Sequence, residues 1–161
     1  MADAMLTKIR QALAEQGVSF KEKEHPPTYT SEESAAARGE ELAVGAKALL
    51  VKTDDVFRLF VLPADRKLDS AAIKAELRVK KIRFATPEEL HEMTGLVPGS
   101  VPPFGPPILP FELFADEAVG TLHDRVAFNA GSLTNSIIMS ASDWAAVARP
   151  RRFAFGKVEG S

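Results

Sequence analysis

The chain has 161 residues, no cysteine and a net charge of −2, with 45% apolar and 26% charged residues. The length suits one domain over 1–161, and the lack of cysteine excludes disulfides, thiolate metal sites and cysteine nucleophiles, in keeping with a reducing, cytoplasmic location. The slightly acidic balance argues against a protein that coats long nucleic acid, while contact with one end of such a molecule stays open; no apolar run is long enough to cross a bilayer, and no secretory signal pattern opens the chain.

Ala4 to Gln16 carries Met5, Ile9 and Leu13 at four-residue spacing, with Gly17 behind them. That spacing predicts an amphipathic helix closed by a glycine. Val18 to Glu24 alternates and reads as an edge strand, ended by His25-Pro26-Pro27. Thr30-Ser31-Glu32-Glu33 has the form of a capping box and predicts a short helix through Ala37. Ala46 to Thr53 and Val56 to Pro63 flank Asp54-Asp55, which predicts an antiparallel hairpin with a short polar turn. A helix is expected over Asp69 to Leu77, with Asp69 as its N-cap, followed by a short strand at Ile82 to Ala85. Thr86-Pro87-Glu88-Glu89 opens another helix, with a second capping box and proline at its first position. Ile108 to Phe114, Arg125 to Asn129 and Ser136 to Met139 read as strands, Ser142 to Ala148 as a helix, and Arg152 to Phe155 as a closing strand. Hairpins mixed with separate helices predict an α/β protein with a mixed, mostly antiparallel sheet.

Six of the eleven prolines fall between Pro98 and Pro110, so this stretch is neither a helix interior nor a central strand. Its apolar residues Val101, Phe104, Ile108 and Leu109 are out of place in a solvated linker. Two readings stand. A stiff loop with glycines at 99 and 105 can hold backbone N–H groups for an oxyanion or carbonyl, or it is a rigid connector over one end of the core. No phosphate-loop pattern, histidine pair at zinc spacing or nucleophile elbow occurs. His25, His91 and His123 are scattered, and His25 is the best functional candidate because it sits on a constrained loop. Lys47 opens an apolar strand, either snorkelling to solvent or serving as a cation at the rim of a pocket. Arg78, Lys80, Lys81 and Arg83 form one basic cluster and Arg149, Arg151 and Arg152 another, readable as solvated surface or as nucleic-acid contact. Asn129, Ser132, Thr134 and Asn135 surround Gly131, which fits a turn and also fits the lining of an amino-acid site.

Several segments then fall into a known order. They are the histidine-proline segment with Thr30-Ser-Glu-Glu33, Gly45-Ala-Lys47-Ala-Leu-Leu-Val-Lys52, Phe84-Ala-Thr-Pro-Glu-Glu-Leu90, Gly95-Leu-Val-Pro-Gly-Ser-Val-Pro-Pro103-Phe-Gly105 and Asn129-Ala-Gly-Ser-Leu-Thr-Asn135. So ordered, the chain resembles the YbaK and prolyl-tRNA synthetase-associated editing domain family in its stand-alone form, from Leu6 to Val147. The resemblance implies one α/β domain, a barrel-like sheet with surrounding helices, and hydrolysis of a small amino acid from mischarged tRNA, with no cofactor and no metal. It implies that Lys47 holds the tRNA end and that Gly99 and Pro103 are the glycine and proline of a Gly-x-x-x-Pro loop, with Ser100 and Val101 between them in the catalytic set. His25, Thr30, Phe104, Gly131, Ser132, Thr134 and Asn135 become the expected substrate-binding residues. Some stand-alone members carry an asparagine where this chain has Ala48 and a histidine-proline pair where it has Ala130-Gly131, which suggests a pocket open at those corners. The implied partner is the acceptor end of mischarged tRNA, with an aminoacyl-tRNA synthetase as an optional second partner, no membrane, and a monomer or homodimer. The competing reading is a non-catalytic binding module of the same fold for a small amino acid, nucleotide or protein partner.

Overall fold

The structure is a computed structural model and describes residues 2–158. Helix α1 spans Ala2–Glu15 and buries Met5, Ile9 and Leu13, as their spacing predicts; Gly17 follows in the left-handed region at φ +69°. Strand β1 (Phe20–Glu24) lies at the edge of a three-stranded antiparallel sheet whose other members are β7 (Arg125–Asn129) and β8 (Asn135–Ser140), in the order β1-β8-β7. Helix α2 (Ser31–Arg38) begins at the predicted box, with Thr30 Oγ1 accepting from Glu33 N–H and the Glu33 carboxylate accepting from Thr30 N–H.

The predicted hairpin forms with its expected boundaries, β2 as Ala46–Thr53 and β3 as Val56–Pro63. It is the centre of a five-stranded sheet, ordered β5-β2-β3-β6-β9, with β5 at Ile82–Phe84, β6 at Leu113–Asp116 and β9 at Arg151–Phe153. The β3–β6 and β6–β9 pairs are parallel and the other pairings antiparallel, so the sheet is mixed as expected. Helices α3 (Ser70–Leu77), α4 (Pro87–Thr94) and α5 (Ala141–Ala148) complete the α/β domain. The strands divide into separate sheets, and no closed barrel forms among the described residues.

Along β3, Leu59 and Val61 join the core shared with α1 and the three-stranded sheet, whereas Phe60 and Leu62 join a second core with Ile73, Phe114, Phe153 and Phe155. A strand buried on both faces needs an unbroken apolar run, and Leu59-Phe60-Val61-Leu62 supplies it. In the second core Phe60 stacks on Phe114 at 5.1 Å and meets Phe155 edge-on at 5.3 Å.

Two local expectations are corrected. The strand expected at Ile108 to Phe114 begins only at Leu113, because Ile108 and Leu109 both turn their N–H groups onto Gly105 O and Pro110 has none to give. Their side chains enter the core all the same. The closing strand expected at Arg152 to Phe155 ends at Phe153, where the chain bends into β10 (Gly156–Val158), paired with β4 (Arg66–Leu68); neither of these two strands was expected. The bend is held by buried Asp116, whose Oδ1 accepts from Phe155 N–H (2.8 Å) and Gly156 N–H (2.7 Å) and whose Oδ2 accepts from Ala118 N–H (3.0 Å).

Asp116→Ala would strand these donors, and a buried donor without a partner costs about 1–3 kcal/mol. Urea unfolding should show a loss of that size, with Asp116→Asn losing less because it keeps an acceptor. Equal stability of Asp116→Ala and the native chain would contradict this role.

Candidate functional site

Helix α2 ends against the three-stranded sheet, and its last residue, Arg38, is only 9% exposed. A guanidinium needs acceptors when it leaves water. Arg38 Nε donates to Ser136 Oγ (2.9 Å) and Nη2 donates to Asn129 Oδ1 (3.0 Å), so one side chain ties α2 to both β7 and β8. Ser136 Oγ in turn donates to Asn129 Oδ1 (3.2 Å), and His25 Nε2 lies 2.8 Å from the same hydroxyl. Asn129 Nδ2 donates onward to Gly99 O at 2.8 Å. A continuous polar chain thus runs from the loop after β1, through the end of α2, to the proline-rich loop. No carboxylate hydrogen-bonds to Arg38 among the described residues; burial pushes its guanidinium down to about 10, and the charge of Glu40 opposes that shift.

Above this chain lies a cleft of about 170 Å³. One wall is the start of α2 and the segment before it, with Thr28, Tyr29, Thr30 and Ser34; the opposite wall is the start of β2, with Lys47 and Ala48. Gly99 and Val101 close one end, and Arg38 and Asn129 form the polar floor. Arg38 Nη1 makes no hydrogen bond among the described residues and remains available at the cleft. Thr28 and Ser34 join their hydroxyls at 2.8 Å, so the wall is rich in short polar groups. Gly99 sits at φ +86°, a conformation that glycine adopts without steric cost. The N–H groups of Gly99 and Val101 have no hydrogen-bond partner among the described residues, whereas Ser100 N–H is committed to Val97 O at 3.1 Å.

Of the residues singled out from sequence, the cleft brings together Lys47, Thr30, Gly99 and Val101. Ser100 is buried beside them, but its hydroxyl donates to Val97 O (2.8 Å) and its carbonyl accepts from Gly131 N–H (2.9 Å), so it braces the loop. His25 is buried beneath the cleft against Ser136 and does not line it. Pro103 accepts the Trp144 indole N–H through its carbonyl (3.0 Å), and Phe104 packs in the core, edge-on to Phe128 at 5.4 Å. The expected opening at Ala130 and Gly131 is corrected as well. Ala130 is fully buried, and a Cβ on Gly131 would stand 2.4 Å from Met5 Cγ, so that corner is filled by α1. Ser132, Thr134 and Asn135 bond among themselves in a turn away from the cleft, and the carbonyls of Leu133 and Thr134 fasten Thr28 and His25. Arg38, Thr28 and Ser34 were not expected. Helical spacing puts Arg38 at the end of an alanine-rich helix, where an arginine is ordinarily solvated, and nothing local marks it as buried.

A model of the aminoacyl-tRNA editing domain matches residues 25–147. The Multifunctional Ser/Thr-tRNA deacylase ProXp-y of Escherichia coli (strain K12) is 34% identical over 143 residues, covering 86% of this chain and 84% of its own. A proline–tRNA ligase of Shouchella clausii (strain KSM-K16) is 34% identical over 105 residues, 65% of this chain but 18% of that much longer enzyme. Among solved structures, a candidate trans-editing enzyme for prolyl tRNA synthetase superposes with a TM-score of 0.78 at 25% identity, over 95% of this chain and 97% of that one.

Arg38→Met should remove the donors that hold Ser136 and Asn129, lowering the unfolding free energy by about 1–3 kcal/mol. Because Asn129 carries the connection to Gly99 O, exchange of the neighbouring hydrogen-bonded amides, Ser100 N–H on Val97 O and Gly131 N–H on Ser100 O, should also quicken in the folded protein. Unchanged exchange there would show that the loop is held without Arg38.

Proposed function

Since this chain belongs to the aminoacyl-tRNA editing domain family, we propose that it is a deacylase acting in trans, which hydrolyses the ester of a mischarged tRNA carrying a small amino acid at its acceptor end. An aminoacyl ester is already activated, so its hydrolysis depends on positioning and on stabilising the oxyanion more than on a strong nucleophile. The observation that carries this reading is the pair of uncommitted N–H groups at Gly99 and Val101, in the same cleft as Lys47. They suit the negative charge that develops on the carbonyl oxygen when water adds to the carbon. As the tetrahedral intermediate collapses, the bond to the ribose oxygen breaks and that oxygen takes the proton water gave up, with the neighbouring ribose hydroxyl orienting the water. Lys47 anchors the terminal phosphate or ribose. Ser100, Pro103 and His25 hold the loop and the floor from behind, as positioning residues.

The hydroxyl-lined wall at Thr28 and Ser34 and the polar floor at Arg38 and Asn129 favour a small side chain with a hydroxyl. A site built to hydrogen-bond a hydroxyl rejects analogues that lack it, whereas an apolar pocket separates near-isosteres by only about 1–3 kcal/mol. The ProXp-y relative is named for serine and threonine, and this wall supports the same preference here.

Lys47→Ala should lower kcat/KM for seryl- or threonyl-tRNA by about a hundredfold, the equivalent of one oriented charge contact, with the melting temperature little changed. Full activity in that variant would remove Lys47 from the site. Gly99→Val should reduce turnover more than stability, since the side chain is strained at positive φ and crowds the donors. If Gly99 served only a connector, the same pair of measurements would show stability falling and activity per folded molecule holding. Across a panel of charged tRNAs, seryl-, threonyl- and alanyl-tRNA should be hydrolysed in preference to prolyl-tRNA; comparable rates on aromatic or charged aminoacyl-tRNAs would refute selection by size. Saturable binding without hydrolysis of any of them would make the protein a binding module.

A further inference from the structure

A second cavity of about 330 Å³ lies beside the cleft and shares Ala48, Leu49, Gly99 and Val101 with it. Its outer walls include Phe84 on β5, Pro87 and Leu90 on α4, and Pro98 at the head of the proline-rich loop. None of its lining residues carries a charged or polar side chain. Phe84 is 58% exposed. One exposed phenylalanine on a surface is ordinary. This one stands at the lip of an apolar groove that runs directly into the cleft.

We infer that this groove seats the nucleobase of the terminal nucleotide, with the exposed ring of Phe84 as its stacking platform. The inference rests on the editing reading. In an aminoacyl-tRNA the ester and the base hang from one ribose, so a protein that takes the aminoacyl group into the cleft must receive the base within one sugar of it. Two cavities that meet at Ala48 and Gly99 meet that constraint. The lack of charge disfavours a phosphate or an ammonium group there and suits a flat heterocycle, since every base has a face on which an aromatic ring can stack. Away from Gly99 and Val101, which it shares with the cleft, the groove is poor in main-chain donors: Pro87 and Pro98 have no N–H, and Ala85 N–H is spent on Leu50 O at 2.9 Å. It therefore grips a base without reading it, which suffices because every tRNA ends in the same one. Next to Phe84 on β5, Arg83 is paired with Glu89 (2.8 Å) and so adds little net positive charge beside the groove.

The test uses the intact protein with seryl-tRNA and two hydrolysis-resistant probes, a 3′-serylamido adenosine and the same ribose amide without a base. Phe84→Ala should lower kcat/KM for seryl-tRNA about tenfold or more, mainly through KM, and Phe84→Trp should retain activity, as stacking platforms do. The native protein should bind the adenosine probe at least tenfold more tightly than the baseless one, and Phe84→Ala should erase that difference. Equal binding of both probes by the native protein, or unchanged kcat/KM in Phe84→Ala, would overturn the inference. A shift in sedimentation on Phe84→Ala, with unchanged probe binding, would make the groove a contact between copies of the chain and overturn it as well. If the native protein hydrolyses no aminoacyl-tRNA yet prefers the adenosine probe through Phe84, the editing reading fails and the base seat stands.

Discussion

A guanidinium taken out of water and held only by neutral oxygens sets the geometry of this molecule. Burying a charge is costly unless every contact around it is well made. Arg38 therefore constrains whatever supplies its acceptors, and those are Asn129 on β7 and Ser136 on β8. Through them the end of α2, the three-stranded sheet and the proline-rich loop take up one fixed relation. The cleft is the space left between elements so fixed, bounded on its far side by the five-stranded sheet through Lys47 and Ala48.

Rigidity and availability are divided along the proline-rich loop itself. Ser100 spends its N–H, hydroxyl and carbonyl on internal bonds, and Pro103 spends its carbonyl on Trp144. Between and beside them, Gly99 and Val101 keep their N–H groups unspent. A donor aimed at developing charge is most effective when it needs no reorganisation, and neighbours with every group committed provide that. The apolar residues farther along the loop, Phe104, Ile108 and Leu109, anchor it by entering the core.

Features governed by neighbouring residues were legible in the sequence. The two capping boxes, the Asp54-Asp55 hairpin and the helix with Met5, Ile9 and Leu13 all depend on contacts a few residues apart, and all formed as their patterns predict. What depends on distant pairing was not legible. Strands β4 and β10 are three residues each and exist because Asp116, far from both in sequence, bends the chain between β9 and β10. The site followed the same division. Lys47, Thr30, Gly99 and Val101, singled out by motif order, line the cleft, whereas Phe104 and Gly131 pack away from it. Composition alone does not tell an apolar loop residue that lines a pocket from one that anchors in the core. Arg38 left no local trace, since its partners lie 91 and 98 residues away.

That separation also orders events while the chain is being made. Synthesis proceeds at about 5–20 residues per second, so roughly 5–20 s pass between the emergence of Arg38 and that of its acceptors. During that interval the α2 wall of the cleft is already in place locally, through its capping box, but the floor is missing and the guanidinium is still hydrated. Strand β1 waits at least as long, because its one neighbour in the sheet among the described residues is β8. A growing chain therefore carries Lys47 and Gly99 without the base that aligns them, and a working cleft appears only once β7 and β8 have emerged and paired.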